Sequence, residues 1–189
     1  MNMALLKKIN LLLLTLAISS CGFYSFKGSI PDHLGDIQIM TFKNLTTEFA
    51  VETDLEQELT DRMLNEQLLP LSAKETPDSH IEGTISRIQD KPNVFDEDEN
   101  ILEYRLEFSG EIIWYDHLHE KELFKKNYRV YGTYFSEDEN ATRSDAEKLE
   151  REDAYDEAIE KLVDLIVESM TLSIIQRWPR SSGYSLIYS

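Results

Sequence analysis

The sequence predicts an α+β domain: a mostly antiparallel, four- to five-stranded sheet with two amphipathic helices packed on one face. Three observations carry that expectation. Residues 102–114 and 123–134 alternate apolar and polar side chains, the period of a strand with one wet face. Residues 51–68 and 155–174 repeat apolar side chains every three or four positions, the period of a helix with one buried stripe. The segments run strand, helix, three or four strands, helix, and burying both stripes against one sheet face is the simplest packing.

The chain opens on a processing segment. Lys7 and Lys8 precede an apolar run, Ile9 to Ile18, interrupted only by Asn10 and Thr15. That run is far below the roughly 20 residues needed to cross a bilayer. Ile18-Ser19-Ser20-Cys21 ends it on the chain's only cysteine and resembles a bacterial lipobox. The expected processing removes residues 1–20 as a signal peptide and places covalent lipid on Cys21. Several acyl chains on one residue anchor stably, since each buried CH2 contributes about 0.8 kcal/mol. One domain over residues 21–178 and a loose tail over 179–189 follow. A lipidated Cys21 leaves no thiol for a disulfide. The formal charge is −17, and loss of Lys7 and Lys8 makes it about −19. Nucleic acid is excluded as a partner, because phosphate recognition needs a basic footprint. A hydrophobic share of 41% fits a packed domain rather than a disordered acidic chain.

Within the domain, Phe23 to Lys27 alternates weakly and Pro31 starts a turn. Asp36 to Phe42 reads as a strand apolar on both sides, which predicts a central position. Val51, Leu55, Leu59 and Met63 recur every four residues in a helix that begins between Thr47 and Thr53 and ends near Leu68, before Pro70. Leu69 to Ala73 is a candidate short strand. His80 to Gln89, Leu102 to Trp114 and Leu123 to Tyr134 are the three longer strands, with a hairpin loop over Asp116 to Lys121. Ser144-Asp145-Ala146-Glu147 has capping-box spacing and predicts a helix of roughly 50 Å running to Trp178. Tyr155, Ile159, Leu162, Val163, Ile166, Met170 and Ile174 form its apolar face.

Four groups of residues invite chemistry. Asp96, Asp98, Asn100 and Glu107 stand at EF-hand positions 1, 3, 5 and 12, but Ile101 occupies the glycine position and a strand follows where a helix belongs. A solvated acidic loop is the better reading, with loose divalent bridging there and at Glu137-Asp138-Glu139 left open. His117 and His119, with Glu120, lack a third or fourth metal ligand and read as a polar turn, so no metal set is assigned. Arg105, Lys125 and Arg129 fall on the wet face of neighbouring strands. There they either pair with Glu103, Glu107 and Glu111 or meet an anionic glycolipid head group. Leu165 and Leu172 lie off the main helix face, one heptad apart, with Ala154 and Ala158 near them. A wide buried face and a docking stripe for a partner are equally compatible with them. No nucleophile elbow, phosphate loop, zinc-protease motif or dinucleotide fingerprint occurs, and the chain is read as non-enzymatic, with no cofactor beyond the lipid on Cys21.

Cys21-Gly22-Phe23-Tyr24-Ser25-Phe26-Lys27-Gly28 followed by Ile30-Pro31 resembles the start of the LptE family, the lipopolysaccharide-assembly lipoproteins. Ile37-Gln38-Ile39 with Phe42-Lys43-Asn44-Leu45-Thr46, then Glu58-Leu59-Thr60, Ile81-Glu82-Gly83-Thr84-Ile85 and Glu103-Tyr104-Arg105, resemble its later blocks in the same order. The resemblance implies a sheet backed by two helices and a place on the periplasmic face of the outer membrane. It also implies a partner, the large barrel LptD, which such proteins plug and help to assemble for lipopolysaccharide transport. It carries no catalytic residues and no motif that assigns a lipopolysaccharide contact, for which Arg105, Lys125 and Arg129 are the candidates by charge. Lipoproteins that activate peptidoglycan synthases share a similar opening. A regulator of peptidoglycan synthesis and a metal-binding lipoprotein are the alternatives.

Overall fold

The computed structural model describes residues 30–145 and 147–177. Cys21 with its lipobox, Trp178 and the tail 179–189 lie outside the described residues. The elements are β1 (Ile37–Ile39), β2 (Lys43–Asn44), α1 (Val51–Glu66), β3 (Ser79–Phe95), β4 (Ile101–Asp116), β5 (Lys121–Phe135), the short α2 (Glu137–Ala141) and α3 (Arg151–Arg177). They form the predicted α+β domain, with one five-stranded sheet in the order β1-β3-β4-β5 and β2 also paired to β3.

The antiparallel part is the β3–β4–β5 meander. Its even-numbered β4 side chains Leu106, Phe108, Ile112 and Trp114 are buried against the helices, as alternation requires. α1 contributes Val51, Leu55, Leu59 and Met63 to the same core, and α3 contributes Ile159, Leu162, Val163, Ile166, Met170 and Ile174. Burying each such side chain contributes about 1.5–3 kcal/mol, so this layer dominates stability.

Three expectations are corrected: the central place of β1, the short strand at Leu69 to Ala73 and the start of the long helix. β1 is an edge strand, not a central one, and both β1 and β2 run parallel to β3. A parallel return needs a crossover, and α1 supplies it. The outer side of β1 is covered instead by residues 70–72: Ile37 donates its N–H to the Pro70 carbonyl and accepts from Ser72. Leu69 to Ala73 is therefore a single bridge, Ile37 to Leu71, rather than a strand. The long helix starts at Arg151, not Ser144. Ser144 and Glu147 do bond to each other, Oγ to Oε2 at 2.7 Å, but they close only an isolated turn. The true start is marked by Asp153, whose carboxylate accepts the Glu150 N–H at 2.7 Å. With 27 residues, α3 is about 40 Å long.

Asn44 orders the turn before α1. Its Oδ1 accepts the backbone N–H and the hydroxyl of Thr46, and its Nδ2 donates to the Glu48 carbonyl and to Glu52. α3 meets β5 backbone to backbone at Gly132, where an added Cβ would stand 2.0 Å from the Ala154 carbonyl oxygen. Gly132→Ala must therefore push the first turn of α3 off the sheet. Overpacking of this kind costs about 1–3 kcal/mol, and a urea midpoint lowered by that amount is the expected result; an unchanged midpoint would show that the helix moves freely there.

Candidate functional site: the open sheet face and the apolar flank of α3

The face of the sheet away from the helices is built by the odd-numbered residues of β4 and β5. Ser86 forms a bulge in β3 between the pairs Ile85–Gly110 and Arg87–Ser109. The bulge switches the parity of β3, so Arg87, Gln89 and Lys91 join the open face. Three adjacent rows result: Arg87–Ser109–Arg129, Gln89–Glu107–Tyr131 and Lys91–Arg105–Thr133. They set four cations around one carboxylate.

That carboxylate, Glu107, is buried despite its place on the expected wet face. It accepts from Lys91 Nζ at 2.8 Å and from Gln89 Nε2 at 3.3 Å, with Arg129 Nε at 3.9 Å. The hydrogen bond from Lys91 outweighs burial and holds its pKa below the ordinary value. Lys125 pairs with Glu111 at 3.1 Å, two rows further along. The Arg105 guanidinium lies 5.8 Å from the Tyr131 ring centroid. All three predicted basic residues thus share one face. Arg129 and Lys125 keep side-chain exposures of 71% and 45%, so an anion can reach them while they are paired.

Leu165 and Leu172 are both exposed, at 38% and 40%, and Ile175 joins them at 44%. Ala154 and Ala158 are fully buried and belong to the core. Leu165 lines a shallow groove with Arg129, Val130 and Tyr131 of β5, so the apolar stripe uncovered within the described residues lies on the flank of α3 beside β5 rather than on its acidic outward side. Phe49, 92% exposed in the loop before α1, is a further apolar surface residue that periodicity could not flag, because it lies in a turn.

The acidic hairpin is not an EF-hand. Asp96 accepts the N–H groups of Asp98 and Asn100 and the Asn100 side-chain amide, which closes a tight turn. Glu107 sits six residues into β4, about 20 Å away at strand rise. At the opposite end of the sheet, His117 and His119 occupy the β4–β5 turn. His117 Nε2 lies 2.8 Å from His80 Nδ1, and His119 bonds Asp116.

A family model for lipopolysaccharide assembly, LptE, matches residues 34–170. The chain belongs to the LptE family. A comparison with curated proteins finds no match. Among solved structures, protein XCC0632 from Xanthomonas campestris is 6% identical, with a TM-score of 0.53 over 78% of this chain and 91% of that one. The hypothetical protein CT253 from Chlamydia trachomatis is 12% identical, with a TM-score of 0.51 over 75% and 98%. The rare lipoprotein B from Shewanella oneidensis is 14% identical, with a TM-score of 0.49 over 74% and 98%. The first two share the fold.

Glu107→Gln tests the charge lattice. Hydrogen bonds to a charged group contribute about 1.5–3 kcal/mol, so the variant should lose stability of that order at pH 7. Because the folded-state pKa of Glu107 is depressed, the wild-type advantage is complete above the ordinary value of 4.5 and is lost as pH falls through the folded-state value. Denaturant midpoints for both proteins between pH 7 and pH 3 should converge on the acid side; a constant gap would remove Glu107 from that role.

Proposed function

We propose that this LptE-family chain is a lipid-anchored, non-enzymatic assembly factor on the periplasmic face of the outer membrane. It binds an LptD-like barrel and helps it to assemble for lipopolysaccharide insertion. The family match over residues 34–170 is the observation that carries the reading.

The chain's own residues fit the role in three ways. Cys21 takes the lipid, and the nine residues from it to Ile30 can span at most about 30 Å, so the domain stays beside the bilayer. Leu165 and Leu172 present exposed apolar side chains on the flank of α3 beside β5, and a barrel wall is a suitable cover for them. Arg105 and Arg129, flanked by Arg87 and Lys91, face outward from the sheet as donors for the phosphates of lipopolysaccharide, with Lys125 at the margin. The work is done by surface shape and contact rather than by a reacting side chain.

Purification of the tagged protein from membranes should recover a large barrel protein, and Leu165→Glu with Leu172→Glu should reduce that recovery at least tenfold without changing the circular dichroism spectrum. Recovery of a peptidoglycan synthase in place of a barrel would overturn the reading. Cys21→Ala should leave the fold intact and release the protein from the membrane when the barrel is absent.

A further inference from the structure

The chain's four histidines are far apart in sequence, yet all of them stand at one end of the sheet. Three side chains there converge on a point. Asp116, the last residue of β4, is fully buried. Its Oδ2 lies 3.1 Å from His33 Nε2 and 2.8 Å from His119 Nδ1, and all three ligand atoms lie within 4.8 Å of one another. We propose that His33, Asp116 and His119 bind a divalent transition-metal ion of the zinc type, which clamps the turn at residues 31–35 to the β4–β5 hairpin.

The donor set selects the ion. Two imidazole nitrogens and one carboxylate oxygen suit zinc and its neighbours, whereas calcium and magnesium take oxygen ligands. Zinc bonds of about 2.0–2.1 Å place tetrahedral ligand atoms about 3.3 Å apart. The two separations from Asp116 Oδ2, 2.8 and 3.1 Å, need only a few tenths of an ångström to reach that spacing, and the two imidazole nitrogens, which lie within 4.8 Å of each other, draw together as the exposed His119 ring turns to the ion. Each imidazole turns its lone pair to the ion by carrying its proton on the other ring nitrogen.

The carboxylate is already oriented as a ligand. Asp116 Oδ1 accepts the backbone N–H groups of Leu118 at 3.0 Å and His119 at 3.1 Å, which leaves Oδ2 for the two histidines. Such outer contacts fix ligand geometry in metal sites. His119 has a side-chain exposure of 45%, which provides an entry path and room for water in the fourth position. The neighbouring His80–His117 pair does not form a second such site. The Glu82 carboxylate lies 4.0 Å from His80 Nε2, whereas His80 meets His117 through Nδ1, so the three do not converge on one point.

The test uses the full chain without a histidine tag, titrated with Zn2+ against a chromophoric chelator and, separately, with Co2+. One equivalent of Zn2+ should bind, and the Co2+ form should show visible d–d absorption. His119→Ala should weaken Zn2+ binding by more than about tenfold, with the same loss for His33→Ala, while His117→Ala leaves it unchanged. Because His119 is exposed, its replacement leaves the core intact; if His33→Ala fails to fold, His119→Ala and the Co2+ spectrum decide. Absence of stoichiometric Zn2+ binding, or a His119→Ala variant that binds as tightly as the parent, would show that the imidazoles only satisfy a buried carboxylate.

Discussion

The seating of α3 on β5 is the constraint on which the rest of the molecule depends. Gly132 lies beneath Ala154 with no room for a β-carbon, so the first turn of the helix meets strand backbone directly. From there α3 runs along the sheet edge and completes it: Glu157 accepts the Thr133 N–H at 3.0 Å, and Lys161 donates to the Tyr131 carbonyl at 2.9 Å. Tyr155 reaches Asp54 of α1 at 2.8 Å, and Arg62 of α1 reaches Asp164 at 2.5 Å, so the second helix is fixed through the first. Arg151 ties the start of α3 to Glu48 and Asp90 at 2.8 and 3.1 Å. Exposed pairs of this kind contribute at most about 1 kcal/mol each. Their effect is to set orientation, while apolar burial supplies the energy.

Periodicity made the fold class legible, because both helices and the meander bury one face each and leave the other polar. What stayed hidden came from contacts between distant segments. Nothing in Ile37–Ile39 or Lys43–Asn44 says that they pair in parallel with a strand some 40 residues later, since an apolar strand reads alike whether central or covered at an edge. Bulges were equally silent. Ser86 reverses the side of β3, and Leu123 sits opposite the Trp114–Tyr115 step so that it and Phe124 are both buried. Pro92 is tolerated within β3 because β1 and β2 cover only the earlier part of that strand.

The candidate surfaces divide along the same line. Leu165 and Leu172 were visible as a heptad on one helix, and Arg105, Lys125 and Arg129 as alternating residues on two strands. Their companions Arg87 and Lys91 were not, because the Ser86 bulge decides which side they face. The His33–Asp116–His119 group was further from view, since it joins a turn before the first strand to a hairpin 83 residues later.

The cationic rows also change what the net charge implies. A chain of formal charge −17 repels an anionic glycolipid at long range. Screening at physiological ionic strength confines such effects to about 8 Å, so at contact distance the local arrangement governs. In the rows through Ser109, Glu107 and Arg105 the sequence places four cations around a carboxylate that is already buried and paired. The acidic residues lie largely elsewhere, in the Asp96–Asn100 and Glu137–Glu139 segments and on the outer surfaces of α1 and α3. Glu82, Glu103 and Glu111 share the open face with these rows, so its positive character is local: it is confined to the patch around Glu107 where the four cations outnumber the one carboxylate.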